Sequence, residues 1–287
     1  MSVPEVLHDG RDVLPGVRDC LEQLQQRSIP MAIVSNSPCE SPKAALRLER
    51  LGLLQKDLFR DVVTSGDQAK RYLEKLISEA APVRLRCLFI SHIDHTERGT
   101  WSPEELRSMG LELVASVDEC DFVLANGVQV CYKGTLSEIT SNYESDASDC
   151  AVFKTVLQAA AKAQRPLIIA NPDCIVHRKN GVTVNCPGQF AKQYSASGGE
   201  HLYVFGKPGP EIFREASRTL ELSGARRICH VGDSLCHDVS GAAGAGFASV
   251  LVRSGIHAPE LQGMSVSELC RRKGTPYPTF AMSSFRW

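Results

Sequence analysis

Three short segments of this 287-residue chain carry residue types that suit the binding of a phosphate group and a hard cation. The first, residues 232–238, contains two carboxylates, Asp233 and Asp238, after an apolar run. Mg²⁺ prefers carboxylate oxygens, water and phosphate as ligands, so this segment could hold one. The same residues could instead cap a helix, with a solvated aspartate beside it.

The other two segments offer hydrogen-bond donors and a positive charge. Ser35 and Asn36 follow an apolar run and could donate a hydroxyl and an amide to phosphate oxygens. Lys207 lies in a Gly-Lys-Pro turn, where its ammonium could neutralise a phosphate or a carboxylate nucleophile. Taken singly, these residues could equally cap the next segment or lie solvated in a turn, and capping is the favoured interpretation for Ser35 and Asn36.

Short apolar runs alternate with amphipathic helices along the chain, which predicts a parallel α/β sheet with helices on both faces. In such a sheet, polar groups collect at the carboxyl ends of the strands, where all three segments lie. We expect residues 274–287 to form a loosely held tail. The predicted helices are 16–27, 41–51, 152–160, 210–220 and 240–245, and the predicted strands are 31–34, 61–63, 167–170, 227–231 and 248–252.

Composition narrows the classes of function. The 32 lysines and arginines balance 33 acidic residues, and no long basic run is present, so nucleic acid is not an expected partner. No apolar stretch approaches the roughly 18–20 residues of a membrane-spanning helix, so a membrane is not expected either. Eleven scattered cysteines suit a reducing compartment. We expect a cytoplasmic protein, with an organelle left open because a longer precursor could carry a leader.

Together and in this order, the segments resemble the haloacid dehalogenase (HAD)-like superfamily of phosphohydrolases. Within it they resemble subfamily IIA, the p-nitrophenylphosphatase-like group with a large cap domain. The resemblance extends from Val6 to about His257. The matching segments are Leu7-His8-Asp9-Gly10, Pro15-Gly16, Ser35-Asn36-Ser37, Asn171-Pro172-Asp173, Gly198-Gly199-Glu200, Gly206-Lys207-Pro208 and Gly232-Asp233-Ser234.

The resemblance implies a Rossmann-like parallel-sheet core made of residues 1–66 and 204–287, with an inserted α/β cap domain at 67–203. It also implies Mg²⁺ as cofactor, a small phosphorylated molecule as substrate, and a homodimer formed through the cap. The residue roles it implies are catalysis by Ser35 and Lys207, substrate binding by Ser35, Asn36, Lys207, Asn171 and Asp173, and metal binding by Asp233 and Asp238. By residue chemistry alone, Asn171 and Asp173 would simply build a turn.

The first motif of the family is missing. In relatives an apolar strand ends in an aspartate that attacks phosphorus, and a second acid follows two positions later. Those positions fall on about Ser2 and Pro4, which cannot do this chemistry, and Asp9 is expected to bond within a turn. The missing strand would leave its neighbours with unpaired amides, so we expect the natural protein to have further residues before Met1.

Three functions follow as alternatives. The first is a Mg²⁺-dependent phosphoric-ester hydrolase that is largely inactive as written, because losing a nucleophile costs on the order of a million-fold in turnover. The second is a catalytically dead member that binds a phosphorylated ligand or a protein partner. The third, a dinucleotide-binding protein, ranks last because no Gly-x-Gly-x-x-Gly opens a first strand-helix turn.

Overall fold

A computed structural model describes residues 6–53, 58–177, 182–222, 224 and 227–287. Within these ranges the chain alternates helices with short strands. The helices are α1 (Val17–Gln26), α2 (Ser41–Arg50), α3 (Ser65–Ala80), α4 (His95–Arg98), α5 (Pro103–Ser108), α6 (Ala151–Lys162), α7 (Gly188–Ala196), α8 (Pro210–Leu222), α9 (Ser240–Ala245) and α10 (Val266–Lys273).

The strands are mostly three to five residues long. They are β1 (Ala32–Ser35), β2 (Asp61–Thr64), β3 (Arg86–Ile90), β4 (Glu112–Leu113), β5 (Phe122–Ala125), β6 (Val130–Cys131), β7 (Ile139–Thr140), β8 (Leu167–Ile169), β9 (Ile175–His177), β10 (Thr183–Asn185), β11 (Leu202–Val204), β12 (Cys229–Gly232), β13 (Ala248–Val252) and β14 (Phe280–Met282). The predicted α/β class is confirmed. The predicted helices α1, α2, α6, α8 and α9 and the predicted strands β1, β2, β8, β12 and β13 agree with these bounds within two residues. None of the described helices is long and apolar enough to cross a membrane.

The chain divides into two compact units, and the first contains Met1–Ser35, Ser41–Thr64 and Lys207–Trp287. In its described part, β1 pairs in parallel with β2, and β12, β13 and β14 form a separate parallel sheet. The positions expected for the first motif, Ser2 and Pro4, lie outside the described residues. Helix α1 packs on this unit through a stripe at helical spacing, formed by Val17, Cys20 and Leu21.

The carboxyl-terminal segment corrects the expectation of a loose tail. Strand β14 extends the sheet beside β13, and the Arg253 amide donates to the Met282 carbonyl at 2.9 Å. Phe285, only 5% exposed, packs in the same core cluster as Ile33 and Val252. The sequence hid this because a three-residue strand is too short to show a period, and its partner lies about thirty positions earlier.

The second unit contains Asn36–Glu40 and Ser65–Gly206 and is built on a five-stranded parallel sheet in the order β11-β8-β5-β3-β4. Successive residues of β3 point to opposite faces. Leu88 and Ile90 pack into one hydrophobic cluster, and Cys87 and Phe89 pack into another. Helices therefore cover both faces of a buried sheet, as expected for parallel pairing.

Residues 36–40 group with the second unit rather than with β1, which precedes them. The Ser65 hydroxyl donates to the Ser37 carbonyl at 2.8 Å, and the Cys39 thiol donates to the Arg98 carbonyl at 2.8 Å. The contacts thus divide the chain at Ser65 and at Gly206, against sequence-based boundaries of 67 and 203. These hydrogen bonds join residues that are far apart in the sequence, so the local composition does not predict them.

Asp9 has the turn role expected for it. One oxygen of its carboxylate accepts the amides of Arg11 at 3.0 Å and Asp12 at 2.8 Å, and the Asp9 amide donates to the Asp12 carbonyl. The prediction of an Asx-type turn is confirmed.

Candidate active site

A buried ion pair joins two of the predicted site residues. The Lys207 Nζ lies 2.8 Å from Asp238 Oδ1, and the side chains are 5% and 2% exposed. Lys207 precedes α8, and Asp238 lies in a π-helical turn, Leu235–Val239, that follows β12. The first unit thereby brings the lysine turn and the acidic loop into direct contact.

Asp238 has partners on both carboxylate oxygens. His230 Nε2 shares Oδ1 with Lys207 at 2.8 Å, and Oδ2 accepts the amides of Asp233 at 3.2 Å and Ser234 at 3.0 Å. A Cβ at Gly232 would come within 2.2 Å of the Asp238 Cγ, so this approach requires glycine. Asp238 therefore holds the loop together from within.

The pKa values of Asp238 and His230 are both lowered, which keeps Asp238 charged and His230 neutral. Burial would raise the pKa of Asp238, but the Lys207 charge and the hydrogen bonds from His230 and Lys207 outweigh it and hold that pKa well below its usual range. Burial lowers the pKa of His230 to about 4, against the hydrogen bond to Asp238. At neutral pH the arrangement is therefore a carboxylate held by one ammonium, with a neutral imidazole that donates through Nε2.

Asp233 lies at the start of the same loop, in a different environment. Its Oδ2 accepts the amide of Ile256 at 3.0 Å, and the residue is mostly buried. A Cβ at Gly255 would come within 2.2 Å of the Asp233 Cβ, so the segment after β13 passes directly over this carboxylate. The close approach fixes where the Asp233 side chain can point.

The two carboxylates of the acidic loop differ in how they could serve as Mg²⁺ ligands. Asp238 is engaged on both carboxylate oxygens by protein groups, and Asp233 accepts the Ile256 amide on Oδ2. No group of three or more histidine, cysteine or acidic side chains in the described part of the chain could form a cage for a metal. Mg²⁺ is often bound by one or two carboxylates with water and a substrate phosphate, so the residues fit that mode and not an all-protein cage.

Ser35 ends β1 in the first unit and is partly buried there. Its predicted contact with phosphate stays a prediction. In the second unit, the predicted residues Asn36, Asn171 and Asp173 come together: the Asn36 Nδ2 donates to Asp173 Oδ1 at 2.7 Å, and the Asp173 amide donates to Asn171 Oδ1 at 3.0 Å. The turn suggested by residue chemistry and a specific contact between distant segments are thus both present.

Sequence reasoning missed the partners that organise the acidic loop. His230 was not predicted as a site residue, although a histidine inside an apolar run ahead of the loop could have indicated a buried partner. Ile256 acts through its backbone, and His257 lies far along the chain. The sequence carries no signal for either contact.

The fold and these contacts define a class: a parallel α/β protein whose acidic strand-end loop encloses a lysine from a neighbouring loop. A family model described as haloacid dehalogenase-like hydrolase matches residues 3–91, and one described as HAD-hydrolase-like matches residues 204–268. The chain belongs to the HAD-like hydrolase superfamily. This confirms the resemblance inferred from the motifs.

One similar protein aligns with most of the chain, and another aligns with about a third of it. Chronophin from Rattus norvegicus is 26% identical over 262 residues, which are 89% of this chain and 75% of the relative. Dihydroxyacetone phosphatase from Corynebacterium glutamicum (strain R) is 34% identical over 89 residues, which are 31% of this chain and 32% of the relative.

Solved structures share the fold. A haloacid dehalogenase-like hydrolase from Brucella suis 1330 has a TM-score of 0.72 at 24% identity and covers 99% of this chain and 93% of its own. The p-nitrophenyl phosphatase from Archaeoglobus fulgidus has a TM-score of 0.64 at 22% identity, covering 99% and 94%. A glycerol phosphate phosphatase from Mycobacterium tuberculosis, solved with magnesium, has a TM-score of 0.63 at 22% identity, covering 99% and 73%.

Proposed function

We propose that this chain is a phosphatase-type HAD-like protein that binds a small phosphorylated molecule together with Mg²⁺. The contact of Lys207 with the loop that carries Asp233 and Asp238 supports the proposal most directly. A buried ammonium beside a strand-end carboxylate offers a phosphate both a positive charge and a cation ligand. The phosphatases named among the similar proteins support the same reaction class.

Each residue has a separate task in this proposal. Lys207 neutralises phosphate charge, and Asp238 fixes the position of its ammonium through the bond at 2.8 Å. Asp233 would hold Mg²⁺, which would supply charge neutralisation at the phosphate oxygens. Asp238, predicted from sequence as a second metal ligand, is proposed to support the loop, because its oxygens are already engaged.

The remaining predicted contacts complete the proposal. Ser35 would donate its hydroxyl to a phosphate oxygen from the end of β1. Asn36, Asn171 and Asp173 would bind substrate through the polar atoms of their cluster in the second unit.

Turnover by the covalent route of the family needs an aspartate that this chain does not supply at Ser2 or Pro4. We therefore expect the chain as written to hydrolyse phosphate esters slower by about a million-fold than a form with that nucleophile. The lack of an acid at Ser2 and Pro4 also favours a second candidate function, which is binding of a phosphorylated ligand or a protein partner without hydrolysis.

Hydrolysis of p-nitrophenyl phosphate with Mg²⁺ and isothermal titration with inorganic phosphate separate the two candidates. The phosphatase proposal predicts hydrolysis by the Ser2→Asp, Pro4→Asp double variant, lost on adding Asp233→Asn and retained on adding Asp118→Asn, an exposed control. Phosphate binding with no hydrolysis by either the chain as written or the double variant would favour the binding protein. Neither binding nor hydrolysis would reject both.

Two further expectations belong to this proposal. The substrate is a small phosphorylated metabolite, and a panel of phosphate esters tested with the double variant would identify its class. Two copies of the chain pair through the second unit, which size-exclusion chromatography with light scattering would show as a mass twice that of the 31.3 kDa chain.

A further inference from the structure

Three consecutive residues after β13 hold the acidic loop of the first unit. Gly255 allows the backbone to pass against the Asp233 side chain, and the Ile256 amide donates to Asp233 Oδ2 at 3.0 Å. His257 then lies against the next part of the loop, where the Leu235 amide is 3.1 Å from its Nε2. The segment therefore contacts both the carboxylate proposed to bind Mg²⁺ and the turn that follows it.

The ring of His257 has a defined hydrogen-bonding pattern. Its Nδ1 lies 2.7 Å from Glu260 Oε2, and a carboxylate only accepts, so Nδ1 carries the proton. Nε2 is then the acceptor that the Leu235 amide requires. Lys273 of α10 lies 3.1 Å from the other oxygen of Glu260, which fixes that carboxylate in turn. A chain of polar contacts thus runs from α10 to the acidic loop.

His257 supplies the hydrogen-bond acceptor for the Leu235 amide. Leu235 opens the π-helical turn, and amides in the first turn of a helix have no partner within it. The residue is fully buried, so water is not a ready substitute. Burial also lowers the pKa of His257, although Glu260 opposes that shift, and this favours the neutral ring that can accept a hydrogen bond.

We propose that His257 is a positioning residue that braces the acidic loop, so that the Asp233 carboxylate is held in one orientation by Ile256 and the turn behind it is held by the imidazole. The role toward Mg²⁺ rests on the function proposed above, whereas the brace itself does not. His257 contacts neither the proposed metal nor the proposed substrate. It acts through Leu235 and through the backbone it shares with Ile256.

Amide hydrogen exchange measured by NMR on ¹⁵N-leucine-labelled protein tests the brace without any assay of turnover. The Leu235 signal is assigned by its loss in Leu235→Met. His257→Leu removes the acceptor and is expected to speed Leu235 exchange about tenfold or more, since an orphaned buried amide opens more easily. His257→Gln, whose side-chain oxygen can accept the bond, is expected to restore most of the protection, and His201→Leu, an exposed control, to change nothing.

Titration with Mg²⁺ in the presence of inorganic phosphate tests the consequence for Asp233. We expect His257→Leu to weaken Mg²⁺ binding by about 3- to 10-fold and His257→Gln to recover it, which general loosening of the fold would not produce. If His257→Leu does not fold, Glu260→Leu replaces it in the test. This change removes the carboxylate that keeps the proton on His257 Nδ1, and we expect it to weaken Mg²⁺ binding in the same way but less.

The outcomes separate this inference from the proposed function. Leu235 exchange that does not change in His257→Leu overturns the brace. Faster exchange with unaltered Mg²⁺ affinity, in a wild type that binds Mg²⁺, overturns the positioning role. A wild type that binds no Mg²⁺ contradicts the proposed function, while faster Leu235 exchange in His257→Leu still supports the brace.

Discussion

Asp238 shows at the scale of a single residue how a buried charge is held. Its carboxylate is nearly inaccessible, and its partners are one ammonium, one imidazole and two amides. Removing two charges from water costs several kcal/mol per ion, which the pair recovers only when every remaining lone pair is bonded. Lys207 and Asp238 therefore stabilise the fold only as a pair, and losing one partner costs more than the pair itself contributes.

Lys207→Met should lower the free energy of unfolding by about 3–5 kcal/mol, because it leaves the Asp238 charge buried without its ammonium. Urea denaturation at neutral pH measures this. Lys75→Met is the matched control: Lys75 pairs with Glu79 at 3.7 Å with its side chain 68% exposed, so its change should stay below about 1 kcal/mol.

A double variant makes the test specific to the pair. Lys207→Met combined with Asp238→Asn should cost less than the two single changes together, since the unpaired charge is gone. Costs that simply add would show that the two residues do not stabilise each other.

His230 gives the protein an acid sensitivity of predictable sign. Its pKa is lowered to about 4 in the folded state, so the unfolded chain, with an ordinary pKa near 6.5, binds the proton more tightly. The stability that neutral His230 supports is present above about pH 6.5 and is lost as pH falls toward 4. The Asp238 contribution changes little between pH 7 and pH 5, because its lowered pKa in the folded state and the ordinary aspartate pKa near 3.9 both lie below that range.

Between pH 7 and pH 5, His230→Gln should reduce the loss of unfolding free energy by on the order of 1–2 kcal/mol relative to the wild type. Urea titrations at both values supply the comparison. Equal pH dependence in the two proteins would mean that His230 is charged in the folded state or solvated.

At the scale of elements, the turn between β12 and α9 contains both acidic site residues, and tight packing at Gly232 holds it in place. Gly232 ends the strand without a side chain, so Asp238 can fold back against the strand end, and Ser234 caps the turn by accepting the His237 amide. The neighbouring strand β13 is held in place on its far side by β14. The carboxyl-terminal segment therefore supports the sheet from which the acidic loop projects.

Phe285→Ala should destabilise the protein by about 3–5 kcal/mol, because a side chain only 5% exposed leaves a cavity in the core around Ile33. Phe280→Ala, at a position 63% exposed on β14, is the control and should cost less than about 1 kcal/mol. Thermal and urea unfolding of both variants measure the difference. Similar costs at the two positions would contradict the docking of the carboxyl-terminal segment.

At the scale of the whole molecule, the described residues form two compact units, each with its own parallel β-structure. The first unit contains the pair of Lys207 and Asp238, and the second contains the cluster of Asn36, Asn171 and Asp173. A ligand that binds the folded chain stabilises it by mass action, whatever its catalytic fate.

Mg²⁺ with inorganic phosphate should therefore raise the melting temperature, by a few degrees at saturating ligand. Asp233→Asn should abolish the Mg²⁺-dependent part of the shift, and Asp118→Asn should preserve it. Differential scanning calorimetry without substrate gives the measurement. The same shift with and without Asp233 would show that the cation binds elsewhere.

The sequence by itself determined the α/β class, most of the elements of the first unit and the chemistry of its loops, because apolar periodicity and strand-end polar residues are local signals. It predicted Lys207, Asp233 and Asp238 as site residues before any distance was known.

Only the tertiary structure decided which groups meet. In the structure, Asp238 contacts Lys207 and His230. Ile256 and His257 contact the acidic loop. The segment expected to be a loose tail forms strand β14. Most of these contacts join segments some 20 to 30 positions apart, and some of them use backbone amides that every residue except proline has. His230 and Asp238 are eight positions apart, and only the turn between them brings their side chains together. The physical reason is that a hydrogen bond depends on distance in space, which local pattern along a chain does not encode.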